Sequence, residues 1–97
     1  MIYHVTTAEQ WQAAEQAGQY SHPSLASEGF IHCCSMEQLP GVLERYYQGK
    51  DGLLLLHINP QLLSSPLQYD LSPSLNQLFP HSYGAIPINA IVKISPL

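Results

Sequence analysis

A chain of 97 residues and 10.8 kDa has room for one domain, and at this size it hides roughly two-thirds of its unfolded surface, enough for a two-layer core without disulfide or metal staples. Three Lys and Arg stand against seven Asp and Glu, for a net charge of −4, and only 10% of the residues are charged. That balance excludes a surface that coats nucleic acid through many phosphate contacts, while leaving room for a small ligand or an RNA end held by a few groups.

The start of the chain has no cationic stretch followed by an apolar segment, and the longest strongly apolar run, residues 53–56, is too short to cross a bilayer. The expectation is a soluble, cytoplasmic protein with no membrane partner. Residues 2–5 are short and β-prone. They are followed by two overlapping capping boxes, Thr6 with Glu9 and Thr7 with Gln10, which predict a helix over Ala8–Ala17. Trp11, Ala14 and Ala17 recur on one face of it, and Gly18 is placed to close it in the left-handed conformation. Residues 19–29 are rich in Ser, Pro and Gly without a periodic apolar face, which predicts a loop.

Residues 30–33 read as a short buried strand. Cys33 and Cys34 are adjacent, so they cannot staple distant segments and are read as reduced thiols. Ser35 with Gln38 forms another capping box for a second helix that runs to about Tyr47, but Pro40 lacks an amide to bond back, so the first turn is expected to stand apart. Leu53–Ile58 is apolar at nearly every position and predicts a central strand. Residues 67–69 predict a short strand, residues 72–76 an irregular loop, and residues 90–94 a last strand of period two. These elements describe a single α+β domain over residues 1–97: a small, mostly antiparallel two-sheet core with one or two flanking helices.

Five histidines outnumber all Lys and Arg together. His4 and His32 fall on predicted strands, and His81 follows Phe79 and Pro80 in a predicted loop closed by Tyr83 and Gly84. Such positions aim a side chain from a rigid scaffold into a pocket. His22 and His57 are weaker candidates. In His4-Val5-Thr6, residues two apart project from one strand face, so an imidazole and a hydroxyl could grip a ribose or phosphate oxygen; alternatively Thr6 only caps the helix and His4 only satisfies a nearby carbonyl. No Cys-x-x-Cys or His-x-x-x-His spacing is present, so no metal is expected. A cysteine nucleophile at Cys33 or Cys34 is set against the reading of both as small core hydrophobes.

Several segments in fixed order resemble a family of short bacterial proteins, domain-of-unknown-function family 952: Ile2-Tyr3-His4-Val5-Thr6-Thr7, then Leu25-Ala26-Ser27-Glu28-Gly29-Phe30-Ile31-His32-Cys33 with Gln38-Leu39-Pro40-Gly41-Val42, then Phe79-Pro80-His81-Ser82-Tyr83-Gly84. That family is in turn similar to the ADP-ribosyltransferase superfamily, which binds NAD in a cleft between two small antiparallel sheets. The resemblance implies that His4 and Thr6 hold the adenosine ribose of NAD, with Ser27, Gly29 and Tyr83 as further binding residues and His32 and His81 as catalytic ones. Many of those transferases carry a glutamate near the final strand, whereas residues 71–97 contain no acid, which favours comparison with the RNA 2′-phosphotransferase branch. The function expected is therefore binding of NAD or a related nucleotide in a histidine-lined cleft, with ADP-ribosyl or phosphate transfer. The alternatives are a non-catalytic metabolite-binding module and a histidine-based phosphodiesterase, although of the motifs such enzymes carry in pairs only His4-Val5-Thr6 is present.

Overall fold

In the computed structural model, which describes all 97 residues, β1 (Ile2–Thr7) runs antiparallel to β4 (Leu53–Ile58), and β4 pairs along its other edge with β8 (Ile91–Pro96). The Leu-rich sequence of β4 makes it the central strand because both of its faces are covered. Leu56 and Ile58 join Ile2, Tyr20, Ile31 and Ile86 in one hydrophobic cluster, and Leu53 and Leu55 join Val5, Cys34, Leu39 and Phe79 in another. Adjacent Cys33 and Cys34 divide between these two clusters, as successive residues of an extended chain must. No helix is long and apolar enough to cross a membrane.

The first helix, α1 (Ala8–Ala17), has the predicted bounds: the Thr7 side chain accepts from the Gln10 amide at 3.2 Å, and Gly18 at φ 81° closes the last turn. Residues 19–29, expected as a loop, contain β2 (Gln19–Tyr20) and α2 (Pro23–Glu28). A helix of six residues is too short to display an apolar period, so its signals are the caps alone. The His22 ring accepts from the Ser24 amide at 3.1 Å, Pro23 occupies the first turn, and Gly29 closes it at φ 91°.

After β3 (Ile31–His32) the Ser35–Gln38 capping box forms as a separate turn, with Ser35 N–H donating to Gln38 Oε1 at 2.9 Å, and α3 (Leu39–Tyr46) begins beyond it with Pro40 in its first turn. The hairpin of β5 (Leu67–Ser72) and β6 (Gln77–Ser82) corrects a second expectation, because His81 lies on a strand instead of in a loop. Pro80 argues against a central strand in the sequence, yet β6 is the middle of β3-β6-β5. At its position opposite Tyr69, Pro80 contributes only a carbonyl, which accepts from Cys33 N–H at 3.0 Å. The short ribbon of β2 with β7 (Ile86–Pro87) completes the molecule, so there are two three-stranded sheets, a two-stranded ribbon and three helices where two sheets and one or two helices were expected. The two larger sheets meet where Tyr3 and Cys34 exchange backbone hydrogen bonds of 2.8 Å each.

Candidate functional site

Along that seam lies a cleft of about 630 Å³. One end of it is built by strand register. β3 sets His32 directly opposite His81 of β6, with ring centroids 5.1 Å apart and planes at 77°. β5 sets Asp70 opposite Phe79, and there its Oδ2 accepts from His81 Nδ1–H at 2.8 Å and from the Tyr83 hydroxyl at 2.5 Å. A carboxylate oxygen can only accept, so His81 carries a proton on Nδ1, and its Nε2 has no hydrogen-bond partner in the protein. Phe30 stacks on the His81 ring at 4.1 Å and 14°, which leaves the imidazole one orientation. The Tyr83 hydroxyl, and after it His81, holds the Asp70 carboxyl below its ordinary range, and the same contact with Asp70 raises the Tyr83 phenol.

His32 commits the other nitrogen. Its Nε2–H faces both oxygens of Glu28, at 3.1 and 3.2 Å, leaving Nδ1 free. The two side chains are about half exposed, 51% and 49%, so this pair orients the ring and contributes little to stability.

His4 differs. It is 3% exposed, its Nδ1–H donates to the His32 carbonyl at 2.5 Å, and its Nε2 lies 2.7 Å from the Tyr20 hydroxyl. Tyr20 in turn is 2.9 Å from Thr6 Oγ1, and Thr6 is 2.9 Å from the Gln10 side chain. Desolvation lowers the His4 imidazole to about 4, against the raising effect of its bond to the His32 carbonyl, with His22 and His32 lowering it further. It is neutral at pH 7, with its proton on Nδ1. His22, whose ring lies 5.3 Å from that of His4, is also lowered, by burial first and by His32 second.

The far end of the cleft is formed by α3 and the turn after it. Val42, Tyr46 and Tyr47 line it together with Arg45 and Lys50, above a floor that includes Val5, Cys34 and Phe79. Arg45 and Lys50 are two of only three basic residues in the chain. Neither is in an ion pair with a carboxylate, and they lie over tyrosine rings instead, Arg45 at 5.8 Å from the Tyr46 centroid and Lys50 at 5.7 Å from that of Tyr47. Burial pushes the Cys34 thiol up to about 11 and that of Cys33 up as well, so both are protonated at neutral pH and poor nucleophiles.

Of the residues singled out in the sequence, His4, His32 and His81 share this cleft. Thr6 is 1% exposed and lies beneath it, in the network with Tyr20, so it does not stand beside His4 as a second open hydroxyl. Ser27 is on the exposed side of α2, where its hydroxyl donates to the Pro23 carbonyl at 3.3 Å, and Gly29 serves as the α2 cap. Neither lines the cleft, and Tyr83 reaches it only through Asp70. Sequence reasoning missed Asp70, Glu28, Arg45 and Lys50 and ranked His22 among the weaker candidates, yet all five line it. One signal was present for Asp70: it is the last acid before the acid-free stretch 71–97, and the hairpin folds that stretch back against it.

Fold and site together define a small α+β protein of antiparallel sheets whose seam holds an imidazole–carboxylate cleft. The chain belongs to the family described as Protein of unknown function (DUF952), whose model matches residues 5–94. It is similar to the crystal structure of protein CC0527 from Caulobacter crescentus, at 25% identity and a TM-score of 0.89, over 99% of this chain and 84% of that one. The solution NMR structure of CC0527 is similar too, at 25% identity and a TM-score of 0.84, over 99% of this chain and 83% of that one. No curated protein matches the sequence.

Proposed function

We propose that the cleft binds NAD or a related nucleotide, with its phosphates toward Arg45 and Lys50 and its ribose and ring groups toward the histidines and tyrosines. One observation carries this reading. In a chain of net charge −4, two of three basic residues and four of five histidines line one cavity. Unpaired Arg and Lys side chains are the ordinary means of holding a phosphate, and a cleft of about 630 Å³ is of ligand-binding size. Tyr46 and Tyr47 offer aromatic faces for a base. With three basic residues in all, an RNA partner would be held at an end and not along a strand.

The ADP-ribosyltransferase resemblance extends the proposal to group transfer. Residues 71–97 supply no catalytic acid, but Asp70 and Glu28 bring carboxylates to the cleft from β5 and α2. Calorimetry with NAD and with a 2′-phosphorylated nucleotide tests the reading. The expected result is binding by the wild type, weakened roughly 10- to 100-fold by Arg45→Ala or Lys50→Ala, as for loss of one charge-assisted hydrogen bond. Absence of binding of either nucleotide to the wild type would overturn it.

A further inference from the structure

We infer that His81 and His32 act as a base and acid pair on a phosphodiester of the bound nucleotide, an inference that rests on the nucleotide reading of the cleft. The two rings lie 5.1 Å apart on paired strands. Each has one nitrogen committed to a carboxylate and one left free, and the committed nitrogens are opposite ones: Nδ1 of His81 on Asp70, Nε2 of His32 on Glu28. The site therefore offers two free imidazole nitrogens at the histidine end of the cavity, where the ribose lies, so the diester within reach is one carried on the ribose, as in a 2′,3′-cyclic phosphate.

Their surroundings divide the roles. His81, 12% exposed, is clamped by Phe30 and by an Asp70 carboxylate that Tyr83 also holds, which presents Nε2 as a fixed acceptor. His32 is more open, and with its Nε2–H facing both oxygens of Glu28 its Nδ1 is left to exchange a proton with solvent and deliver it. As water attacks phosphorus, its proton passes to His81 Nε2 and the new P–O bond forms. The P–O bond to the alcohol breaks with its electron pair on that oxygen, and His32 Nδ1–H supplies the proton. Water and diester become monoester and alcohol, His81 ends protonated and His32 neutral, and exchange with solvent restores both. No oxidant, reductant or other reactant is required. Asp70 and Glu28 are positioning residues, each acting through its imidazole.

The test uses the full chain with two substrates that differ in leaving group. 2′,3′-Cyclic AMP releases an alkoxide that needs a proton, whereas bis(4-nitrophenyl) phosphate releases a phenolate that does not. His81→Gln should lower kcat on both by about 100-fold or more, the usual scale for a general base. His32→Gln should lower it by about 100-fold on the cyclic nucleotide but by less than about 10-fold on the nitrophenyl ester. Asp70→Asn, whose side chain is one-third exposed, keeps the base assignment testable should His81→Gln fail to fold, and should lower kcat on both substrates about 10-fold. Nucleotide binding by calorimetry with neither diester cleaved overturns the pair and spares the nucleotide reading. Cleavage carrying the leaving-group signature without calorimetric binding of NAD or the 2′-phosphorylated nucleotide spares the pair and overturns the assignment of those two ligands. Equal losses on the two substrates for His32→Gln overturn the acid assignment.

Discussion

His4 and the pair His32 with His81 line the same cleft within one ring's reach of a shared backbone, for the His4 imidazole is bonded to the carbonyl of His32 itself. Yet their chemistry differs. His4 has both nitrogens engaged and is buried, so it is a neutral strut that ties β1 to β3 and, through Tyr20 and Thr6, to α1. His32 and His81 each retain a free nitrogen. The same side chain is made structural or reactive by how many of its polar atoms the protein itself satisfies.

The sharpest way to break this contrast is truncation. His4→Ala removes the imidazole that bonds the His32 carbonyl, leaves the Tyr20 hydroxyl with Thr6 alone and opens a cavity, and it is expected to cost about 3 to 5 kcal/mol, whereas His32→Ala should cost no more than about 0.5 kcal/mol. Urea denaturation of both variants measures the difference, and similar losses would dissolve the distinction. A pH series probes it next. The folded-state pKa of His4 is depressed to about 4 against an unfolded value of 6.5, so its contribution is complete above pH 6.5 and is lost as pH falls from there toward 4. Unfolding free energies should drop by about 3 kcal/mol more across that window in the wild type than in His4→Gln, and parallel curves would contradict the buried neutral state. The smallest effect is that of Thr6→Val, which keeps the shape but removes the hydroxyl between Tyr20 and Gln10. It is expected to cost about 1 kcal/mol in stability, with nucleotide affinity unchanged in calorimetry.

Elements whose signals are local could be read from the sequence. Thr7 with Gln10 and Gly18 bracket α1 at its observed bounds, and the Leu-rich run of β4 marks the strand buried on both faces. The hairpin of β5 and β6 was half hidden. Pro80 disguises its strand, and no turn motif stronger than Asn76, at φ 52°, announces the reversal. His32 and His81 could be picked out because strand and motif positions are local properties. Their carboxylate partners could not, since Asp70 meets His81 only through hairpin register, and Arg45 and Lys50 share a cleft with the histidines only because α3 forms its far end. The role of Thr6 was open for the same reason: nothing nearby in the sequence says that Tyr20 covers it.

The difference between the two kinds of histidine is tested most directly by recording imidazole Cε1–Hε1 NMR signals while NAD or a 2′-phosphorylated nucleotide is added. Signals of His32 and His81, which keep free nitrogens in the cleft, should shift in proportion to occupancy, while that of His4 stays near its free position because its partners are the His32 carbonyl and Tyr20. A large shift of His4 with His32 and His81 unmoved would contradict the assignment of strut and reactive pair.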